Sequence, residues 1–439
     1  MASFNIPDGY GFWHTLRDSQ ELVHSPIQVM ERSLQRFGDT YSAPIGPKRH
    51  MILTRDADFI AYVLQKNHRN YAKSEIHTDI LSHFLGNGLL TSNGDFWLRQ
   101  RRLIQPGFHV QKIVALYGLI EQAVEHCLAN FPSGSEVDIY PHINQLAFEV
   151  VVRSLFNVDI PSATLVELSA IISDVQNYVV REVRQPLKRP WLRLSGQRGR
   201  ELNKARQSRE IIRSIIQDRV KSGTSRGDLL DMMLEARYED SGEPMEEEQL
   251  IDELMILVIA GHETTANGLA WMLHLLANNP VNFEELEKKW SLSIEEAVRD
   301  PFLNAVVKES MRLYPPAWIS DRLTLNDDEF GEYSYPENSL IVTFLYGLHR
   351  HPEYWPEAEA FKPERFLPEN TTESVKKAYY PFGAGPRMCI GNNFALAEMV
   401  LFLQRFTKKF HITKTTHTPK AMALVTLRPD QVVLNVKRR

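Results

Sequence analysis

The sequence predicts a mainly α chain with small β-sheets, and three observations carry that prediction. Apolar residues recur at helical spacing through most of positions 95–315, β-branched or alternating runs gather towards the two ends, and no internal repeat or low-complexity tract interrupts them. In chain order, 40–45 and 50–54 read as strands of a small sheet. Helices are expected over 111–130, 143–156, 165–182, 199–221 and 245–278. Pro132-Ser133-Gly134, Pro186, Pro190 and Gly223-Thr224-Ser225-Arg226-Gly227 punctuate them, since proline cannot continue a backbone ladder and glycine permits sharp turns. A β-rich stretch follows at 339–344, and the last strands are expected at 422–427 and 431–436.

Apolar residues make up 43% and charged residues 24% of the chain, an ordinary globular composition. The net charge of −5 argues against nonspecific binding of nucleic acid. Two cysteines cannot build a disulfide framework, and Cys127, among Ala123, Val124 and Leu128, reads as core filler. A reducing, cytoplasmic location is therefore expected. Residues 1–10 have no basic or apolar leader pattern, and no stretch approaches the ~20 uninterrupted apolar residues of a spanning helix. No integral membrane segment is expected.

The chemistry centres on Cys389, in the run Phe382-Gly383-Ala384-Gly385-Pro386-Arg387-Met388-Cys389-Ile390-Gly391. This run is a tight glycine-rich loop before a helix-like stretch at 392–399. A helix N-terminus stabilises a nearby thiolate, the glycines let backbone approach a flat ligand closely, and Arg387 adds a cation. The setting suits a thiolate bound to a metal, haem iron among them. A buried structural cysteine is the plainer alternative and the commoner fate of a lone cysteine.

The segment resembles the haem-binding loop of the cytochrome P450 family, F-x-x-G-x-R-x-C-x-G, through Phe382, Gly385, Arg387, Cys389 and Gly391. Five fixed positions coincide by chance in roughly one in ten thousand chains of this size, which favours the haem reading. Three further signatures extend the resemblance over nearly the whole chain. It implies a P450-type helical prism, one folded unit over 1–439, haem b (iron protoporphyrin IX) as cofactor and Cys389 as the iron ligand. Eukaryotic members usually carry an N-terminal anchor helix, so the resemblance without one implies a soluble, bacterial-type protein, with a chain from which such an anchor was removed as the alternative.

The second signature lies in the apolar helix at Ala260-Gly261-His262-Glu263-Thr264-Thr265. Glycine inside a helix costs about 1 kcal/mol relative to alanine, and a threonine bonding back to the carbonyl four residues earlier bends the helix. Together they would open a groove large enough for a diatomic ligand. A kinked helix with a solvated glutamate is the plain alternative. The knot resembles the family's oxygen-binding motif, [AG]-G-x-[DE]-T-[TS]. By that resemblance Thr264 hydrogen-bonds the iron-bound oxygen, Glu263 relays protons, and Ala260 and Gly261 make room above the iron. His262 has no partner in the pattern and receives no role.

Glu309 and Arg312 share a helix face, three residues apart. They resemble the family's E-x-x-R motif, and with Arg365 in Pro363-Glu364-Arg365-Phe366 they are expected to form a buried structural network. The haem propionates need cationic or hydrogen-bonding partners. The resemblance assigns Trp97 and Arg101 (W-x-x-x-R), Arg322 and Arg387 to them. The rest of Arg99, Arg101 and Arg102 reads as a solvated basic face. With Lys112, Lys376 and Lys377 it could dock an acidic electron donor.

The resemblance implies monooxygenation, with one oxygen atom entering a small organic substrate and the other becoming water. No flavin or iron–sulfur segment is present. Electrons are thus expected from NAD(P)H through separate proteins, a ferredoxin and its reductase or a flavodoxin, acting on a monomer. A peroxide-driven enzyme is disfavoured by the acid–alcohol pair Glu263-Thr264, and so is a haem sensor or carrier without turnover. By resemblance the pocket is lined from 74–90, 178–191, 257–264, 317–319 and 424–426. The stretch 312–319 looks like that of carotenoid- and fatty-acid-hydroxylating members, making lipid or terpenoid C–H hydroxylation the default. Ser74, Glu75, His77, Thr78, Asp79 and His83, with the basic set Arg181, Arg184, Gln185, Lys188, Arg189 and Arg193, either face solvent or suit a polar substrate. The second case would mean oxidative O-demethylation of a methoxylated sugar or aromatic, releasing formaldehyde.

Overall fold

The computed structural model describes residues 4–46, 49–157, 162–185 and 188–439. Pro186 and the side chain of Arg184, both invoked above, lie outside what is described. The five expected helices occupy Val110–Ala129, Tyr140–Phe156, Ser162–Arg184, Gln197–Ser222 and Glu247–Asn278. Two helices precede the first strand where none was expected, Phe12–His24 and Pro26–Phe37. The second starts on a proline, whose missing N–H costs nothing at a helix start, and buries Ile27, Val29, Met30 and Leu34.

Glu247–Asn278, 32 residues long, runs through the centre of the molecule. Glu247 and Glu248 in its first turn complement the helix dipole. Its apolar side chains point in nearly every direction because neighbours pack on most of its faces. Two glycines set how closely those neighbours approach. A Cβ on Gly261 would stand 3.1 Å from Val151 of the helix Tyr140–Phe156. One on Gly268 would stand 2.9 Å from Met399 of the helix Asn392–Lys409.

The strands form four small sheets. The largest orders Thr40–Gly46, Arg49–Thr54, Leu340–Thr343, Ser320–Thr324 and Tyr71–Ala72, with only the second and third strands parallel. Val433–Arg438 lies between Gly134–Asp138 and Phe410–Lys414 and ties the chain's end to its middle.

The strand expected at 422–427 is corrected. Ala421–Ala423 and Leu427–Pro429 are two strands of a hairpin. The Leu424 N–H donates to the carbonyls of both Met422 and Thr426, which closes the turn. The local pattern is apolar and β-prone, but the turn is fixed by distant groups. Trp318 Nε1 donates to the Leu424 carbonyl at 3.0 Å, and the Leu427 N–H donates to the Pro316 carbonyl at 2.9 Å.

Candidate functional site

Cys389 closes the glycine-rich loop, and its N–H donates to the Phe382 carbonyl at 2.9 Å. The helix Asn392–Lys409 begins just beyond it, capped by Gly391. Gly385 has φ of +69°, and a Cβ there would overlap the carbonyl oxygen of Leu64, so only glycine lets the loop close against that segment. Cys389 is enclosed by protein yet exposed, as a residue facing an internal space is. Burial pushes its thiol up, and only a backbone N–H from Gly391 and the charge of Arg101 pull it down. The helix terminus alone does not yield a free thiolate; a coordinated cation would tip the balance.

The residues around this space fit haem. Lys73, His77, Arg322 and Arg387 are packed together, with Asp321 and Glu253 as the acidic neighbours. Burial lowers Lys73 well below its ordinary value, His77 to about 4, and Arg387 to about 10. A buried surplus of basic groups is stable only if anions complete it, and two propionates supply such anions. Arg387 is held over the Trp97 ring, 4.0 Å from its centroid, by bonds to the Ser92 carbonyl (3.0 Å) and Asn93 Oδ1 (2.9 Å). Arg322 donates to Ser320 Oγ at 3.0 Å and to the Asp321 carbonyl at 2.7 Å. Arg101 sits apart from this group. It donates to the Met388 carbonyl at 3.0 Å, and its charge acts on Cys389. Lys73 and His77 were not singled out for the propionates, because a lysine and a histidine in a polar loop carry no motif.

On the opposite side, Ala260 is exposed in the middle of a helix whose flanking residues Val258, Ile259 and His262 are buried. The Thr264 hydroxyl donates to the Ala260 carbonyl at 2.6 Å. Glu263, next in chain but turned about 100° round the helix, bonds elsewhere. It accepts from Gln176 Nε2 at 2.9 Å and from the Thr426 hydroxyl at 2.8 Å. Burial raises its pKa, against the Thr426 bond and the charge of Arg428. Gln176 and Thr426 carry no motif, so sequence reasoning missed their link to Glu263. His262 is structural. Its Nε2 bonds the Asn144 carbonyl at 3.1 Å, and its ring meets Phe148 edge-on.

Glu309 and Arg312 are fully buried and bidentate, at 2.7 and 2.8 Å. Arg312 also donates to the carbonyls of His349, Ala358 and Ala360. Glu309 also accepts from the Lys362 N–H at 2.9 Å and lies 3.4 Å from Arg365 Nε. The network therefore clamps the segment 349–365 to the helix Pro301–Leu313.

The polar residues that might have lined a pocket mostly turn away from one. Glu75, Asp79, His83, Arg181, Lys188 and Arg193 are exposed, and Glu75 pairs with Arg49. Ser74, buried and bonded to Asp321, and His77, 3.5 Å from the same carboxylate, turn inward. The accessible positions near Glu263 and Trp318 are instead apolar. Val425 (51% exposed) sits on the hairpin tip between Leu424, tied to Trp318, and Thr426, tied to Glu263, and Ala317 beside Trp318 is also exposed.

Comparison with known proteins gives concordant matches. The family profile described as Cytochrome P450 matches residues 10–436. "Cyclooctat-9-en-7-ol 5-monooxygenase" of Streptomyces melanosporofaciens is 31% identical over 409 residues, 90% of this chain and 87% of that protein. "Pentalenene oxygenase" of Streptomyces avermitilis is 27% identical over 404 residues, 90% and 88% of the two chains. The crystal structure of a cytochrome P450DA heme domain superposes with a TM-score of 0.84 over 100% of this chain and 98% of that one. At 22% identity that likeness speaks for the fold alone.

Proposed function

The chain belongs to the cytochrome P450 family, and from that premise we propose that this monooxygenase hydroxylates a C–H bond of an apolar, terpenoid- or lipid-like substrate. The exposed apolar positions Ala260, Ala317 and Val425, the last between residues bonded to Trp318 and Glu263, carry this reading. The names of two relatives, built on cyclooctatenol and pentalenene, support it. O-demethylation of a polar substrate has less support, because Asp79 and His83 face solvent and the inward His77 lies among Lys73, Arg322 and Arg387.

Haem b, held by Cys389, supplies oxygen binding and O–O cleavage. The reaction consumes the substrate, O2, two electrons and two protons and yields the alcohol and water. The protein's own residues divide the remaining tasks. Arg322 and Arg387, joined by Lys73 and His77, would hold the cofactor's carboxylates, with Trp97 beneath the Arg387 guanidinium. Phe382 and Gly385 shape the ligand loop, and Gly391 directs its N–H at the sulfur. Ala260 and Gly261 leave room on the oxygen side. The Thr264 hydroxyl, bonded to the Ala260 carbonyl, would be the donor on that side, and Glu263 the buried acid that supplies protons.

Electrons come from a separate ferredoxin or flavodoxin. Arg99 and Arg102 already face Asp240 and Glu239, and Lys376 and Lys377 pair with Glu373 and Asp58. Among those expected docking cations Lys112, exposed and with no ion pair among the described residues, is the best placed to meet an acidic donor.

The test is a titration of the ferric protein with fatty acids, isoprenoid alcohols and methoxylated sugars or aromatics, following the haem spin-state shift. Shifts with the apolar ligands, and hydroxylated products by mass spectrometry, are expected. A response confined to the methoxylated compounds, with formaldehyde released, would sink the apolar reading.

A further inference from the structure

Thr426 was expected to line the substrate pocket. The structure turns it away: it is buried, while its neighbour Val425 is half-exposed. Its hydroxyl does two jobs at once. It accepts from Asn267 Nδ2 at 3.0 Å and donates to Glu263 Oε1 at 2.8 Å. Accepting from the amide leaves the hydroxyl's one proton free, and an ionised Glu263 carboxylate, which can only accept, takes it. Asn267 is itself oriented, since its Oδ1 accepts from the Tyr140 hydroxyl at 2.9 Å.

The backbone around Thr426 is clamped on both sides. Trp318 bonds the Leu424 carbonyl, while the Leu427 N–H reaches Pro316, and Trp271 Nε1 donates to the Leu427 carbonyl at 3.2 Å. Thr426 is thus a fixed donor, and with Gln176 it gives each carboxylate oxygen of Glu263 one hydrogen bond. Donors favour the ionised form, whereas burial favours the neutral acid. The charged and titratable groups facing this carboxyl are Arg428, which lowers its pKa, and Tyr140, which its charge raises.

We propose that Thr426 is a positioning residue for oxygen activation: its hydroxyl, partnered by Asn267, holds the Glu263 carboxyl in place between the central helix and the hairpin tip. The proposal rests on the proton-supplying role given to Glu263 above. It also puts substrate contact and acid placement on consecutive residues, Val425 and Thr426, of one rigid hairpin tip.

The experiment is a pH titration of the Glu263 carboxyl band by infrared difference spectroscopy on the ferric holoenzyme, with Glu263→Gln identifying the band. Thr426→Val keeps the shape and removes the donor. It should move the midpoint up by about one to two pH units, the size of a lost charge-assisted hydrogen bond. Thr426→Ser should return it to the wild-type value, and Thr426→Ala repeats the loss should the valine variant fold poorly. A midpoint unmoved in Thr426→Val, or unrestored by serine, overturns the proposal. The absorption spectrum of thiolate-ligated haem, recorded on every variant, separates the two levels of the argument. If the spectrum is intact, a missing shift counts against Thr426 alone. If the wild type lacks it, the oxygen-side reading falls and this inference with it.

Discussion

At the scale of single residues, the site depends on atoms that must be absent as much as on those present. Gly385 combines a left-handed backbone with contact against the Leu64 carbonyl. Gly385→Ala should therefore cost more than the roughly 1–2 kcal/mol of left-handed backbone alone. The loop must open, and haem content per protein, read from the absorption spectrum, should fall severely. Retention of full haem content would show that the segment at Leu64 yields. Gly385 was legible in the sequence because a motif marks it. Lys73, His77, Gln176 and Thr426 were not, because each acquires its role from a partner at least 87 residues away in the chain.

At the scale of elements, the Glu309–Arg312 pair is an intrahelical contact that acts between elements. Three carbonyls from 349–360 depend on one guanidinium. Removing one partner leaves a buried charge and unpaired carbonyls, so Arg312→Ala should destabilise by about 3–5 kcal/mol. Arg365→Ala, removing a longer contact on a less buried side chain, should cost less. Chemical denaturation of both variants checks the order, and equal losses would contradict it. The central helix shows what spacing can reveal. Its existence and the bond from the Thr264 hydroxyl back to the Ala260 carbonyl follow from local pattern. The hairpin at 421–429 does not, because Trp318, Pro316 and Trp271 decide where it turns.

At the scale of the whole molecule, buried imidazoles and buried carboxyls oppose each other in pH. His349 is wholly enclosed, and burial lowers it to about 3 from an ordinary 6.5. The unfolded chain thus binds a proton that the folded chain refuses. Its contribution is fully present above pH 6.5 and is lost as pH falls towards 3. Glu398 is fully buried with both carboxyl oxygens unpartnered, and burial raises it well above 4.5. Its sign is reversed, since the folded chain keeps a proton the unfolded chain loses, and stability falls as pH rises above 4.5. The stability difference between wild type and His349→Gln should therefore shift in the wild type's favour from pH 4.5 to 7. The difference between wild type and Glu398→Gln should shift in the variant's favour over the same range. Thermal melts across that range test both, and parallel trends would refute the assignment.

The sequence by itself determined the mainly helical class and the five long helices, and it marked the loop at Cys389 and the pair Glu263 and Thr264 proposed as ligand loop and acid–alcohol pair. Each is written in local spacing or in a short contiguous motif, and local geometry follows from local covalent structure. Tertiary structure alone decided what those groups face. It turned most of the polar loop residues outward but Ser74 and His77 inward, gathered basic groups around the cofactor space and bound Glu263 to Thr426 and Gln176. Burial and hydrogen-bond partnership are properties of residues brought together from distant parts of the chain, and these set both pKa and orientation.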